Sequence, residues 1–302
     1  MATELWNVVL AAGSGRRLAT VTQGTPKQFW CTDGRSSLLD DTFARVAPLA
    51  PRARTTVVVD RAHRRYVDAA ARPWPAAWLL YQPADRGTAA GVLLALSPVL
   101  DADEDAVVLL TPSDHGVANS AVFRTGVYDA VAAVQSGRAN VVLFGVAPTG
   151  PATDYGWISP GRPFGWAADR PIRPVLGFTE KPTLDIARRL FGSDALWNTM
   201  VVVTRASSLL RLYERHLPHW AHAFATYKRL AVHRRQPFLN EQYAALSPAD
   251  FSRDVLTPAE GLAVYSWGQT IGWSDLGTPD RLHQWRDGAI TRPHAMPARL
   301  SA

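Results

Sequence analysis

The residues best suited to chemistry in this sequence lie in a glycine loop near the amino terminus. An apolar run at residues 8–11 leads into Gly13, Gly15 and Arg17, and Lys27 follows. Glycines let backbone N–H groups approach phosphate oxygens, and the two basic side chains supply countercharge. The spacing is neither that of a dinucleotide fingerprint nor that of a P-loop. It favours a bound polyphosphate, although most such loops merely reverse the chain.

Two aspartates are the candidate metal ligands. Asp114 follows an apolar run at residues 106–110, and Asp275 lies near the other end of the chain. Mg²⁺ in proteins is typically held by one or two carboxylates together with phosphate oxygens and water. The alternative for Asp114 is a helix cap or turn residue, and His115 is more simply a structural neighbour. Whether the two carboxylates meet depends on the fold.

Alternating apolar patterns define the elements that must position these residues. The first half predicts buried strands at 8–11, 56–59, 78–81, 106–110 and 141–146. Between them it predicts helices at 38–46, 62–71, 88–96 and 122–134. This is the pattern of an open, doubly wound α/β fold with a mainly parallel, Rossmann-like sheet. Ligands bind such sheets beyond the carboxyl ends of the strands, where the glycine loop would lie.

The second half is more mixed. It predicts strands at 155–159, 175–178, 200–204 and 262–266, and helices at 184–190, 207–216, 239–246 and 280–285. Prolines and glycines in 148–174 predict a lobe inserted over the sheet. We therefore expect one domain over 1–290, made of two halves at 1–147 and 148–290, and a tail at 291–302.

Composition restricts the class of protein. The chain has 302 residues, of which 47% are hydrophobic and 19% charged, so it can bury a large core. It has no apolar run long enough to span a membrane and no signal-peptide pattern at its start, which predicts a cytoplasmic protein. The single cysteine, Cys31, excludes an internal disulfide framework and a cysteine-based zinc site.

The charge balance suits an anionic small-molecule partner. Lys and Arg number 32 against 26 Asp and Glu, a net charge of +6. Nucleic acid would also suit this charge, but the basic residues are scattered and no nucleic-acid-binding motif is present. We expect neither a nucleic-acid nor a membrane partner. The 11 tryptophans are most simply core residues, and some are candidates for a homo-oligomer interface.

Six motifs in the same order resemble those of the sugar-1-phosphate nucleotidyltransferases, most closely the mannose-1-phosphate guanylyltransferases. They are Gly13-x-Gly15-x-Arg17-Leu18 with Pro26-Lys27-Gln28, Pro112-Ser113-Asp114-His115, Tyr155-Gly156-Trp157-Ile158, Phe178-x-Glu180-Lys181-Pro182, Trp197-Asn198, and Trp273-Ser274-Asp275-x-Gly277. Together they cover nearly the whole chain.

The resemblance implies that the half at 1–147 binds the nucleotide and the half at 148–290 binds the sugar phosphate, and it implies a role for each matching residue. The catalytic set is Arg17, Lys27, Asp114, Lys181 and Asp275, with Asp114 and Asp275 holding Mg²⁺. The nucleotide set is Ala11, Ala12, Gly13, Ser14, Gly15, Arg16, Arg17, Lys27, Asp85, Gly87, Thr88, Ser113 and Asp114. The sugar-phosphate set is Tyr155, Gly156, Glu180, Lys181, Asn198 and Asp254.

The sequence departs from the family at three places that bear on specificity. Gly87 stands where members of the family often have asparagine in the purine-side loop, and Met200 stands where they have glycine. Arg16 replaces the usual small residue before the opening arginine, which brings a second cation either to the phosphates or to solvent. Base and sugar are therefore the open points of the resemblance.

The implied reaction is transfer of a nucleoside monophosphate from GTP to mannose-1-phosphate, with release of pyrophosphate. The alternatives are the same reaction with another base or sugar, such as dTTP or UTP with a glucose or heptose phosphate, and a non-catalytic nucleotide-sugar binder. Longer relatives carry an additional isomerase domain that does not fit in this length, so we expect one reaction.

Overall fold

The structure is a computed structural model that describes residues 4–31, 36–69, 74–163 and 172–288. Its strands are β1 (Leu5–Ala11), β2 (Thr55–Asp60), β3 (Trp78–Gln82), β4 (Val107–Pro112), β5 (Gly116–Val117), β6 (Val141–Val146), β7 (Gly156–Pro160), β8 (Ile172–Glu180), β9 (Leu196–Arg205), β10 (Leu262–Trp267) and β11 (Trp273–Ser274). Its α-helices are α1 (Leu38–Val46), α2 (Arg64–Asp68), α3 (Thr88–Ala102), α4 (Ser120–Gln135), α5 (Leu184–Phe191), α6 (Ala206–His216), α7 (Pro218–Arg229), α8 (Val232–Ala245) and α9 (Pro279–Arg286).

The core is a sheet with the strand order β3-β2-β1-β4-β9-β6-β10-β8-β7. Strands β3, β2, β1 and β4 are parallel, as are β6 and β10. Because β1 and β4 are parallel neighbours, their carboxyl ends meet at one edge, with Leu10 opposite Pro112. The loops after these two strands therefore start side by side.

The second half adds antiparallel strands. Strand β9 runs antiparallel to both β4 and β6, and β8 and β7 continue the sheet beyond β10. Strand β7 also pairs with the start of β9, through Trp157 and Trp197. This pairing joins β9, β6, β10, β8 and β7 into a ring.

Helices cover both faces of the sheet, as the alternation within its strands requires. On one face, Val8 and Val58 pack against α3, α6, α7 and α8. On the other face, Val9 and Val57 pack against α1 and α4. The predicted doubly wound α/β fold is confirmed, and the sheet is mixed because the second half contributes β8 and β9 in the opposite direction.

Most predicted elements are present with small changes in their bounds. Helix α1 has the predicted bounds, and a capping box fixes its start, since Ser37 and Asp40 exchange side-chain and backbone hydrogen bonds. The helix predicted at 62–71 is wrong in its extent: a 3₁₀ turn at Arg61–His63 precedes the short α2. The end of that prediction lies outside the described residues.

Among the described residues, one α-helix and one π-helical turn were not predicted, besides several short 3₁₀ turns. Helix α7 begins with Pro218 in its first turn, and a π-helical turn spans Phe251–Leu256. Helix α8 begins at Val232, earlier than the predicted 239, and contains Pro237. A proline inside a helix removes a backbone donor, and for this reason the sequence pattern favoured a later start.

The predicted lobe at 148–174 is described except at residues 164–171. Its described part is a loop, β7 and the start of β8, and these strands close the ring. The predicted tail at 291–302 lies outside the described residues. In the part of the chain that the structure describes, no helix has the length and apolar character needed to cross a membrane.

Candidate active site

The glycine loop lies directly after β1 and is shaped by its contact with Lys27. Gly15 has a φ of +62°, and a Cβ atom there would lie 2.8 Å from the backbone nitrogen of Lys27. A side chain at Gly15 would therefore be both strained and in collision. Gly13 has open space where its Cβ would be. Gly15 therefore lets the loop pack against Lys27, and Gly13 leaves its own backbone accessible.

Gln28 fixes the start of this loop. Its side-chain amide is buried and donates to the carbonyl oxygens of Ala11, at 2.8 Å, and of Gly13, at 3.0 Å. The sequence motif contained Gln28 but no role was assigned to it. A buried carbonyl without a hydrogen-bond donor costs free energy. By donating to two carbonyls of the loop, the Gln28 side chain fixes the backbone of the loop.

Lys27 brings the two predicted metal ligands together. Its ammonium lies 2.9 Å from Oδ2 of Asp114 and donates to the backbone carbonyl of Asp275 at 2.5 Å. The lysine is 6% exposed, so this contact is made away from bulk water. Asp114 and Asp275, far apart in the sequence, are therefore neighbours in the fold.

A two-stranded ladder completes this convergence. Strands β5 and β11 pair antiparallel, with Gly116 opposite Ser274 and Val117 opposite Trp273. Asp114 lies just before β5 and Asp275 just after β11. The backbone N–H of Ser113 also donates to the backbone carbonyl of Leu10 at 3.0 Å, so the loop that contains Asp114 is bonded to β1.

The charges around Asp114 favour its ionised form. Burial opposes ionisation, but the Lys27 ammonium and His115 outweigh it and lower the pKa of Asp114 below its ordinary value. Burial also lowers the pKa of His115 to about 4, against the opposing charge of Asp114. At neutral pH, Asp114 is thus a carboxylate beside an uncharged imidazole.

Asp275 has a different set of partners. Its Oδ1 accepts from the Tyr155 hydroxyl at 2.7 Å, from the Gly277 N–H at 3.1 Å and from Arg281 at 3.1 Å. A Cβ at Gly277 would lie 2.3 Å from Oδ2 of Asp275, so only glycine leaves room for this carboxylate. Neither Arg281 nor its second partner, Asp154, was predicted from the sequence.

The predicted sugar-side residues meet around β7 and β8. Gly156 is opposite Glu180, and a Cβ at Gly156 would lie 2.6 Å from the Glu180 carboxylate. Glu180 pairs with Lys181 at 3.2 Å, and burial raises the pKa of Glu180 despite that lysine. The space left by Gly156 therefore accommodates Glu180, and Asn198 also lies next to Gly156.

Three residues of this region have a left-handed backbone without being glycine. They are Lys181 at φ +46°, Met200 at +60° and Leu276 at +49°. Each lies within two residues of a predicted site residue. Such conformations are unfavourable for residues with a side chain and persist where the surroundings enforce them, often at functional sites. Around Met200, the Asn198 side chain accepts from the Met200 N–H at 3.2 Å.

The purine-side loop is covered by a later segment of the chain. Gly87 has a φ of +79°, and a Cβ there would lie 2.2 Å from the carbonyl oxygen of Ala249. The Thr88 hydroxyl accepts from the Phe251 N–H at 2.8 Å, and Asp85 accepts from the Gly87 N–H at 3.0 Å. The family asparagine does not fit at Gly87, because the backbone of Ala249 occupies that space.

Asp254 lies in the π-helical turn at Phe251–Leu256. It pairs with Arg253 at 2.8 Å and accepts from the Asp250 N–H at 2.7 Å. The charges of Asp250 and Arg253 act on Glu180, so this segment lies near the predicted sugar side. A role of Asp254 towards the sugar phosphate stays a prediction.

The remaining loop residues follow the glycine loop. Ala12 is half-buried and Ser14 exposed, while Arg17 is exposed and its charge acts on Asp154. The backbone of Arg16 starts a 3₁₀ turn, Arg16–Leu18. The side chain of Arg16 lies outside what the structure describes.

The donor set fits a hard divalent cation shared with a substrate. Asp114 and Asp275 each have one oxygen held by resident donors and a second with weaker contacts: His115 lies 3.8 Å from Oδ1 of Asp114 and Arg281 lies 3.3 Å from Oδ2 of Asp275. Among the described residues, no three or more His, Cys, Asp or Glu side chains are grouped to hold a metal without help. Two carboxylates plus phosphate oxygens are a usual Mg²⁺ environment.

Comparisons with known proteins agree with this geometry. The xanthan biosynthesis protein XanB of Xanthomonas campestris pv. campestris (strain B100) is 32% identical over 91% of this chain and 58% of its own length. A mannose-1-phosphate guanylyltransferase of Sinorhizobium fredii is 29% identical over 95% of this chain and 56% of its own. The chain thus spans a little over half the length of these curated relatives.

A solved structure from Thermus thermophilus, described as a mannose-1-phosphate geranyltransferase, superposes with a TM-score of 0.78. It is 28% identical and covers 91% of this chain and 76% of its own. Residues 6–290 match the nucleotidyl transferase family, which includes every predicted site residue. The chain therefore belongs to the nucleotidyl transferase family.

Proposed function

We propose that this chain transfers the guanylyl group of GTP to mannose-1-phosphate and releases pyrophosphate, forming GDP-mannose. The observation that carries the proposal is the contact of one buried lysine, Lys27, with both Asp114 and Asp275. This lysine connects Asp114, in the first half of the chain, to Asp275, in the second half. The names of relatives similar over most of this chain support the choice of substrates.

The reaction needs alignment and charge neutralisation rather than a covalent intermediate. A phosphate oxygen of mannose-1-phosphate forms a bond to the α-phosphorus of GTP, and the bond between that phosphorus and the bridging oxygen of the β-phosphate breaks. The bond electrons leave with pyrophosphate. No proton has to be removed from the nucleophile, because a phosphate monoester dianion already carries a free electron pair. The proposed reaction therefore needs no side chain as a base, and it assigns no proton transfer to His115.

Lys27, Arg17 and the glycine loop would hold the triphosphate. Lys27 is fixed by Asp114, and the loop backbone by Gln28, so these groups are positioned before substrate arrives. Positioned donors stabilise developing charge at little reorganisation cost. Asp114 and Asp275 would hold a divalent cation, for which Mg²⁺ is the proposed ion, and it would neutralise charge at the α-phosphate.

Lys181 and Glu180 would serve the sugar phosphate. Lys181 is 58% exposed and so available to a phosphate, whereas Glu180, at 14%, is the more buried partner and suits a sugar hydroxyl. Tyr155, Gly156 and Asn198 complete this side. Small-molecule substrates, a cytoplasmic location and a homo-oligomer remain predictions from the sequence.

A second candidate keeps the reaction and changes the base or the sugar. Two observations favour it: Gly87 is held against Ala249, so no side chain at 87 can read the base, and Met200 occupies the position of the family glycine. The loop at Asp85 and Thr88 would then contact the base in another way.

Pyrophosphate release distinguishes the two candidates. We would assay GTP, ATP, UTP, dTTP and CTP against mannose-, glucose- and heptose-1-phosphates with Mg²⁺. The proposal predicts the highest kcat/KM for GTP with mannose-1-phosphate. A higher value in another combination would select the second candidate, and no release in any combination would indicate a non-catalytic nucleotide-sugar binder.

A further inference from the structure

Arg281, in helix α9, is an unpredicted cation at the centre of the site. Its guanidinium makes a two-pronged pair with Asp154, at 2.7 and 3.1 Å, and its NH1 also lies 3.1 and 3.3 Å from the two oxygens of Asp275. It also stacks over the ring of Tyr155, 4.4 Å from the ring centroid. The guanidinium therefore pairs with two carboxylates and contacts the face of an aromatic ring.

The two oxygens of Asp275 are not equivalent. Oδ1 accepts from three donors, namely Tyr155, Gly277 and Arg281, whereas among the described residues Oδ2 has only the longer Arg281 contact. Tyr155 and Gly277 keep the carboxylate in place without Arg281. A cation binding to Asp275 would therefore approach Oδ2, where Arg281 is the group to be displaced.

Electrostatics makes this displacement costly for a metal alone. Lys27 neutralises Asp114, and Arg281 is shared between Asp275 and Asp154. The five side chains sum to a single negative charge, which is little for a divalent cation to bind. The Arg281 side chain is 22% exposed, so water screens its charge only in part.

We propose that Arg281 is a resident counter-ion of Asp275 that keeps the affinity for a divalent cation low until a nucleoside triphosphate supplies further negative charge. Arg281 then gives up Asp275 and stays on Asp154. The inference rests on the proposed function only in taking Asp275 as a metal ligand. It makes Arg281 a positioning residue that couples metal binding to nucleotide binding.

The test measures binding of Mn²⁺ alone to the nucleotide-free protein, from the electron paramagnetic resonance signal of free Mn²⁺. Arg281→Met removes the charge and keeps a long side chain. We expect it to bind Mn²⁺ at least about tenfold more tightly than the natural chain. Arg286→Met is the matched control, because it removes an exposed arginine from the same helix and should leave the affinity unchanged.

Two further variants locate the effect. Asp275→Asn, added to Arg281→Met, should abolish the tight binding, and persistent binding would place the metal elsewhere and overturn the proposal. Asp154→Asn should weaken Mn²⁺ binding in a chain that keeps Arg281. The arginine then loses its pair with Asp154 and competes more strongly with the metal for Asp275. In the Arg281→Met background the same change should have a smaller effect.

The proposal is overturned if Arg281→Met, folded by circular dichroism, binds Mn²⁺ no more tightly than the natural chain. If that variant does not fold, the Asp154→Asn measurement decides, and unchanged affinity overturns the proposal. The proposed function fails separately: a shifted Mn²⁺ affinity without pyrophosphate release from any substrate pair would refute the transferase and keep the role of Arg281. Pyrophosphate release with an unchanged Mn²⁺ affinity in Arg281→Met would support the transferase and overturn the role of Arg281.

Discussion

The predicted nucleotide side and the predicted sugar side of the site differ in the residues that take a left-handed backbone. On the nucleotide side, Gly15 and Gly87 do so at or beside predicted site residues, and among the described residues Gln23 is the left-handed residue there that is not glycine. On the sugar side, the described left-handed residues other than glycine are Lys181, Met200 and Leu276, each at or within two residues of a predicted site residue. Glycine reaches that conformation without strain, whereas the other residues require support from their neighbours.

The two aspartates differ in the same way. Asp114 follows a fully buried parallel strand and pairs with one buried lysine. Asp275 accepts hydrogen bonds from Tyr155, which is far away in the chain, and from Gly277 and Arg281, which follow it closely. Asp114 therefore depends on one buried ion pair, whereas Asp275 depends on several groups whose charges balance one another. The following variants test this contrast.

The largest effect is expected at Asp114. Asp114→Ala removes the carboxylate that pairs with Lys27, and we expect kcat to fall about 10³-fold or more with little loss of fold. Pyrophosphate release and circular dichroism measure the two properties. Asp68→Ala, at an exposed aspartate, is the control. Near-normal turnover in Asp114→Ala would remove Asp114 from the catalytic set.

Lys27 and Arg281 compare the two cations directly. Lys27→Met should lower kcat about 10²-fold, because the lysine links Asp114 to Asp275 and has no substitute. Arg281→Met should lower it less than about tenfold, since Tyr155 and Gly277 still hold Asp275. Both values come from steady-state kinetics at saturating Mg²⁺. Equal losses would contradict the proposed contrast.

Gly87 tests whether the nucleotide side depends on its backbone. Gly87→Asn, which restores the family residue, should destabilise the fold by about 2 kcal/mol or more, because the new side chain is strained and meets Ala249. Thermal denaturation measures this loss. Gly137→Asn is the control, with a φ of +72° but open space around it. If both variants melt alike, the contact with Ala249 is not what excludes a side chain.

The smallest effect is expected at Glu180. Burial raises its pKa, so the folded protein holds a proton that the unfolded chain releases, and stability falls as pH rises above the ordinary value of 4.5. Glu180→Gln should therefore raise the melting temperature at pH 7, with a smaller gain as pH falls below 4.5. Glu214→Gln, at an exposed position, is the control. A gain independent of pH would exclude the buried charge as its cause.

Several features of the site followed from the sequence alone. The glycine loop, Lys27 and Asp114 lie next to strongly apolar strands, and their position at one sheet edge follows from parallel pairing. The sugar side was recognised only through motifs. Asp154 and Arg281 were missed because nothing local marks them: each is an ordinary polar residue in a loop or helix, and the fold pairs the two across 127 positions of the chain.

Apolar periodicity and local motifs act over short stretches of chain, so the family, the doubly wound α/β class and most of the elements could be predicted from the residues alone. Which charges meet depends on the tertiary fold. Lys27 contacts both Asp114 and Asp275, Arg281 pairs with Asp275 and Asp154, and the backbone of Ala249 lies against Gly87. Except for Arg281 and Asp275, which are 6 positions apart, these contacts join residues far apart in the chain, and the folded sheet brings them within a few ångströms of each other.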